Sequence, residues 1–392
     1  MPSKSLRSPV RRRLLSVLGV GMLAASGTML IARTEIDPAS GVGSDAEIVA
    51  ALARSDAPTT IRVKPGRYQA LTIGRRTGPV VVESVDPRRP ASFAAVTIGG
   101  ITDVTLRNVA IERRPGEPLR PQLVMIRNAE KVALDNVRIA GPAETERGRE
   151  YGVMIRASSD VSITGSRIGG VRYGIGMLDA RQIRIERNEF RDLQTDGIRG
   201  GGADGLLIAG NVLGRFTPKP REHPDGVQLW STNQKAAARG VVIRDNLIVR
   251  DGGEVIQGIF VRDTASKLPF EGVDIRGNLI LGTMFNGIAV LGAIAPIVVN
   301  NEVVGFSGQK SWIRLQRARG GEMKDNRAQQ IVQLENENVR VAGNRTIQPA
   351  GTDIAGRVRA WIDSSPERRA YAGPYMNELA GSGAPAPSFT TR

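Results

Sequence analysis

Ile183-Arg-Ile-Glu-Arg-Asn188-Glu-Phe190 is one copy of an eight-residue phrase, apolar-x-apolar-x-x-Asn-x-apolar. It returns as Leu206-Leu-Ile-Ala-Gly-Asn211-Val-Leu213, Val241-Val-Ile-Arg-Asp-Asn246-Leu-Ile248 and Val273-Asp-Ile-Arg-Gly-Asn278-Leu-Ile280, then around Asn301, Asn326 and Asn344. Earlier copies are looser: Ser166 takes the Asn slot in one, and Asn108 and Asn136 come one residue early in two others. A second phrase, x-Gly-apolar-x-apolar, alternates with the first. Its copies begin at Tyr151, Tyr173, Asp196, Asp225, Gln257 and Asn286, with degenerate ones at Gln122, Ser311 and Gln330.

Alternating apolar and polar residues give strands with one buried face. Each strand is too short to stand alone. A fixed order of such strands, recurring every ~20–30 residues, predicts a solenoid whose rungs stack at the ~4.8 Å strand spacing. Inward Ile, Val and Leu then form continuous columns. An Asn at a constant slot stacks on itself, so its buried amide bonds to its neighbours and to turn backbone. These asparagines read as structural.

With the segment Ile61-Arg-Val-Lys-Pro65-Gly66-Arg-Tyr68-Gln-Ala-Leu71-Thr-Ile73, the Asn row and the x-Gly-Ile-x-apolar strand resemble the right-handed parallel β-helix of the pectate-lyase-like superfamily, over roughly residues 45 to 348. The fold class expected is therefore all-β: a single-chain right-handed parallel β-helix spanning 57–348, with a short N-terminal capping helix. The resemblance speaks for the fold and not for one reaction, because lyases, hydrolases, epimerases and binding proteins share it.

Asp45 to Ser55 reads as an amphipathic helix at the end of a linker (34–56), placed to cover the open end of the coil. Residues 349–392 read as a C-terminal cap, with short helices over the other end, followed by a disordered tail from 381. Lys4, Arg7 and Arg11 to Arg13 precede an apolar stretch, Leu14 to Ala32. Residues 1–33 thus read as a signal peptide or a membrane anchor (14–32), and the solenoid as exported: periplasmic, secreted or held on the outer side of the membrane. Cysteine is absent, which excludes disulfides and thiolate metal sites.

The formal net charge is +15, and loss of residues 1–33, which hold six cations and no acid, would leave +9. A basic exported protein favours polyanions, and outside the cytoplasm an acidic polysaccharide is the expected partner. Aromatic residues make up only 4% of the chain and do not interleave with the cations, which argues against nucleic acid.

One rung departs from the repeat. His223, the sole histidine, sits in Arg221-Glu222-His223-Pro224-Asp225-Gly226-Val227-Gln228, and histidine is the side chain best suited to proton transfer near neutral pH. Strand starts at Tyr151, Tyr173 and Asp196 are 22 and 23 residues apart, whereas Asp196 to Asp225 is 29. The extra residues form a loop carrying Lys219, Arg221 and His223. In the x-Gly strand, the first, fourth and sixth positions point outward. Mid-coil they hold Asp196, Arg199, Asp225, Gln228, Trp230, Gln257, Phe260 and Arg262. The superfamily likeness implies a substrate groove over that sheet, walled by the loops before its strands.

Three chemistries fit these residues. For β-elimination from a uronate, His223 is base or acid, and Arg199, Arg262 or Lys219 neutralises the developing charge. For hydrolysis, Asp196 and Asp225 act as paired carboxylates. The same two aspartates are candidate Ca²⁺ ligands that would bridge to a uronate. The catalytic set expected is His223, Asp225, Asp196, Arg199 and Arg262, with Lys219, Arg221, Gln228, Trp230, Gln257 and Phe260 binding substrate. The competing reading is a non-catalytic solenoid that binds polysaccharide or serves as a cell-surface scaffold. Asp before Gly is also an ordinary turn residue.

Overall fold

The computed structural model describes residues 41–54, 58–75, 78–142, 150–251, 254–349 and 353–381, the last five by backbone only. The export segment 1–33, and the expected tail beyond residue 381, lie outside the described residues. No helix among the described residues is long and apolar enough to cross a membrane.

The chain winds into a right-handed parallel β-solenoid with three strands to a turn. One turn comprises Tyr151–Arg156, Ser159–Thr164 and Arg167–Gly169, and the next comprises Tyr173–Leu178, Arg181–Glu186 and Glu189–Arg191. The two pair in parallel register, Tyr151 on Tyr173, Ser159 on Arg181 and Arg167 on Glu189. Repeating this step gives a 24-stranded sheet that wraps two faces of the coil and a 12-stranded sheet on the third. The first face is the stack that includes Tyr151–Arg156, Asp225–Trp230 and Phe285–Ile294.

Alternation in the sequence becomes columns in the core. Ile139, Ile168, Phe190, Leu213, Ile248, Ile280 and Val303 follow one another on the third face, each at most 1% exposed. Burying each such side chain is worth about 1.5–3 kcal/mol. The glycine of the x-Gly phrase has a packing cause. A Cβ on Gly174 would lie 2.9 Å from Phe190 and 2.3 Å from the carbonyl of Gly197 on the next rung, so any side chain there would force the first and third faces apart.

The asparagines form one buried row. Asn188 Nδ2 donates to Asn211 Oδ1 (3.1 Å), Asn211 to Asn246 (3.0 Å), Asn246 to Asn278 (3.0 Å), and the series continues through Asn301 and Asn326 to Asn344. Each Oδ1 also accepts the backbone N–H of the preceding Asn, and each Nδ2 reaches a strand carbonyl. Ser166 joins the row by donating its N–H to Asn188 Oδ1. Asn108 and Asn136, one residue early, stand outside it at left-handed corners (φ 54° and 50°) and bond to each other.

Helix α1 (Asp45–Leu52) is set by a capping box, Ser44 with Glu47, and its Ile48 and Ala51 join the solenoid core. The two C-terminal helices, α2 (Ile354–Asp363) and α3 (Pro366–Gly381), do form, but not as an end cap. They lie on the flank, where Val358, Ile362, Ala372 and Tyr375 pack on Val212, Leu247, Val249, Leu279, Leu281, Val304 and Phe306. Trp361 Nε1 donates to the Gly277 carbonyl, and Arg368 pairs with Asp245 (2.6 Å). The physical reason is visible in Leu247-Ile248-Val249 and Leu279-Ile280-Leu281, which are apolar without alternation and so present an outer surface that requires cover. Among the described residues nothing covers the last rung, where Leu334 is 42% and Val341 39% exposed.

Candidate functional site

Equal positions on successive first-face strands are neighbours, and the register holds through mid-coil: Arg199 pairs with Gln228, Asp225 with Gln257, Gln228 with Phe260, and Trp230 with Arg262. Five of the residues expected at the site are joined by direct contacts. Asp196 Oδ1 accepts the N–H of Asp225 (3.0 Å), and its Oδ2 pairs with Arg199 (3.2 Å). Asp225 Oδ2 accepts from Gln228 Nε2 (2.6 Å). The Arg199 guanidinium lies over Trp230 (5.1 Å) and over Tyr173 (4.6 Å). Arg262 sits against Phe260 (5.3 Å).

Both aspartates occupy outward slots, yet both are covered, Asp196 to 5% and Asp225 to 1% exposure. Burial pushes the Asp225 carboxyl well above the usual carboxylate range, and the Asp196 charge adds to it; Gln228, Arg262 and Arg199 offset only part. Asp196 is also raised by burial, against the opposing pull of Arg199 and of the Asp225 N–H. Asp225 Oδ1 is buried with no hydrogen-bond partner among the described residues. The pair thus holds one carboxyl primed to carry a proton beside one tied to a guanidinium.

These residues do not suit Ca²⁺, which takes six to eight oxygen ligands. Both Asp196 oxygens are engaged, Arg199 already neutralises Asp196 while Arg199 and Arg262 act on the Asp225 charge, and no group of three or more His, Asp or Glu that could hold a metal occurs among the described residues.

The long loop is anchored by Glu222, a residue with no distinguishing signal in the sequence. Glu222 accepts from Arg172 (2.9 Å), from Gln194 Nε2 (2.9 Å) and from the N–H of Lys219 (2.9 Å). Gln194 is 2% exposed, so the loop is pinned into the wall of the coil. Lys219, Arg221 and His223 are exposed on it. His223 makes no hydrogen bond or ion pair among the described residues, and it precedes Asp225 by two residues in the chain. Gln257 lies one rung on, bonded to Asn286 (2.6 Å) and not to the aspartates.

Upstream of the cluster the first face opens into a groove of about 800 Å³. Tyr151, Met125 and Met154 are among its lining residues, together with the cations Arg120, Arg156, Arg172 and Lys219, and among the described residues no carboxylate lines it. Tyr151 stacks on Tyr173 (4.5 Å, 19°), which connects the groove to Arg199. Tyr151 and Tyr173 stand in the first outward position of the repeat, and that position is the one sequence signal that points to them. Arg172 and Gln194 carry no pattern that would have found them.

Fold and groove together define the class. Residues 91–303 match the family described as right handed beta helix region, and the chain belongs to it. No curated protein matches the chain. Among solved structures it is similar to the Dettilon tailspike protein (14% identity, 75% of this chain and 61% of that one, TM-score 0.55). It is also similar to an alginate lyase from Paenibacillus sp. str. FPU-7 (16%, 76% and 98%, TM-score 0.47) and to the Streptococcus pneumoniae surface protein and adhesin PfbA (16%, 76% and 94%, TM-score 0.46).

Proposed function

We propose that this protein cleaves an acidic, uronate-containing polysaccharide by a lyase reaction, in the groove over the first face, after export directed by residues 1–33. The observation that carries the reading is the groove lining: four cations and, among the described residues, no carboxylate, adjoining a cluster that pairs an acid of raised proton affinity with a guanidinium. A polymer of carboxylates is the ligand such a lining attracts. In the elimination, a base removes the proton beside the uronate carboxylate. That electron pair forms the carbon–carbon double bond, and the glycosidic oxygen leaves and takes up a proton. His223 on the loop is the base and passes the abstracted proton to solvent, Arg199 neutralises the carboxylate, and Asp225 gives the leaving oxygen its own proton from Oδ1, since Oδ2 accepts from Gln228. Arg262 steadies the charge near Asp225, while Lys219, Arg221, Trp230, Gln257 and Phe260 bind sugars on either side.

A second reading, hydrolysis, is favoured by the two aspartates in the same slot of adjacent rungs, whose surroundings give them different proton affinities. One assay separates the two. The protein is incubated with a panel of acidic polysaccharides while ultraviolet absorbance of unsaturated products and new reducing ends are followed separately. Absorbance rising in step with reducing ends supports the lyase, and reducing ends alone support the hydrolase. Neither signal, with retained binding, would leave the non-catalytic solenoid.

A further inference from the structure

Downstream of Asp225 the first face carries a feature that the repeat does not explain. Phe285 opens the Phe285–Ile294 strand with φ +62°, and it is the only aromatic among the described residues with a positive φ. That conformation is uncommon for any residue but glycine or asparagine, and a bulky side chain adopts it only where its surroundings impose it. The strain does not serve to bury the ring, which is 45% exposed. Immediately after it the strand bulges. Asn286 pairs with Trp312 and Ile288 with Ile313, so Gly287 is the extra residue. Bulges re-aim side chains. This one sets Trp312 in the outward slot that the repeat would give to Ser311, and places its ring 5.3 Å from Phe285, tilted by 41°. The indole is then fixed from behind: Trp312 Nε1 donates to Asn286 Oδ1 (3.0 Å), and Asn286 Nδ2 donates to Gln257 Oε1 (2.6 Å).

We infer that Phe285 and Trp312 form a sugar-binding platform that takes the apolar face of a pyranose ring. The inference rests on the polysaccharide reading above, since the platform lies on the same face as the groove. Trp312 is three rungs beyond Asp225, ~14 Å at the usual strand spacing and thus roughly three sugar residues along an extended glycan. Flat aromatic rings bordered by amide groups suit a pyranose, which offers C–H groups on its face and hydroxyls at its edge. The cationic groove upstream and the uncharged platform downstream would hold two ends of one chain by different chemistry.

The test uses the full chain with uronate trisaccharides and hexasaccharides, and a neutral hexasaccharide, titrated against wild type, Phe285→Ala and Phe285→Gly. The expected result is a roughly tenfold loss of uronate hexasaccharide affinity in both variants, in the range of truncating one aromatic anchor, with a smaller loss for the trisaccharide. Phe285→Gly should also keep or raise the thermal midpoint, because glycine adopts the backbone without strain. Wild-type hexasaccharide affinity in both variants would overturn the platform and leave the uronate reading standing. Binding of the neutral hexasaccharide alone, lost in the variants, would support the platform and sink the uronate reading. No binding of any probe to wild type would overturn both, and a lowered midpoint in both variants without change in affinity would make Phe285 a packing residue.

Discussion

Replacing Asn246 by alanine tests the load carried by the asparagine row. Asn246 is 0% exposed and its side chain makes four hydrogen bonds. It donates to the Ile208 carbonyl (3.0 Å) and to Asn278 Oδ1 (3.0 Å), and it accepts from the N–H of Asn211 (2.9 Å) and from Asn211 Nδ2 (3.0 Å). Truncation removes all four and strands the Asn211 N–H where water cannot reach. Taking ~1–3 kcal/mol for a stranded buried donor and ~1 for each of the other three bonds gives a loss of roughly 4–6 kcal/mol. The control is Asn344→Ala in the half-exposed last rung. Asn344 accepts from the N–H and Nδ2 of Asn326 and donates to the Met323 carbonyl (2.7 Å), and there water replaces the lost partners, so the cost should be about 1 kcal/mol. Denaturant unfolding, with the slope followed to detect loss of cooperativity, measures both. A loss at Asn246 no larger than that at Asn344 would refute the reasoning.

Three further outcomes are expected. His223→Ala should abolish turnover and leave the melting temperature within a degree or two, since the exposed ring has no partner among the described residues; full activity would remove histidine from the mechanism, and a large loss of stability would make it structural. Folded Asp225 holds its proton to higher pH than the unfolded chain, whose aspartates titrate near 3.8, so its contribution is whole below that value and is lost as pH rises through the raised native value. Asp225→Asn should therefore gain stability relative to wild type as pH rises from 4 towards neutrality, and a difference in melting temperature that stays flat over that range would contradict the burial argument. Uronate binding should weaken steeply with added salt, because four cations line the groove, and salt-independent affinity would show that they do not contact the ligand.

The fold was legible because its signals repeat. One Asn slot can be chance, but Asn188, Asn211, Asn246 and Asn278 at the same phase of the same phrase predict a row. The outward register of Asp196, Arg199, Asp225 and Gln228 follows from the same phase. What the phase does not carry is coverage. Asp225 is outward by count and buried by its neighbours, a property of three rungs together. Glu222 pins the loop through Arg172 and Gln194, 50 and 28 residues away, and nothing in its own surroundings announces this. The bulge at Gly287 moves the outward slot from Ser311 to Trp312, so counting along the strand names the wrong residue. The placement of α2 and α3 could have been read, because Leu247-Ile248-Val249 and Leu279-Ile280-Leu281 break the alternation kept by strands such as Ser159–Thr164 and Arg239–Arg244.

The two ends of the coil are finished differently, and this gives the molecule a direction. Its first rungs are sealed by α1 and its middle is braced by α2 and α3, while the strands Gln330–Leu334 and Arg340–Ala342 are bordered by half-exposed side chains. In a stack where each rung leans only on its neighbours, opening begins at the least protected terminus and travels inward. Amide hydrogens should exchange fastest near Val341 and progressively more slowly towards Asn246, so the solenoid frays like a rope from one end. The candidate groove, over rungs near Tyr151, lies on the side that unravels last.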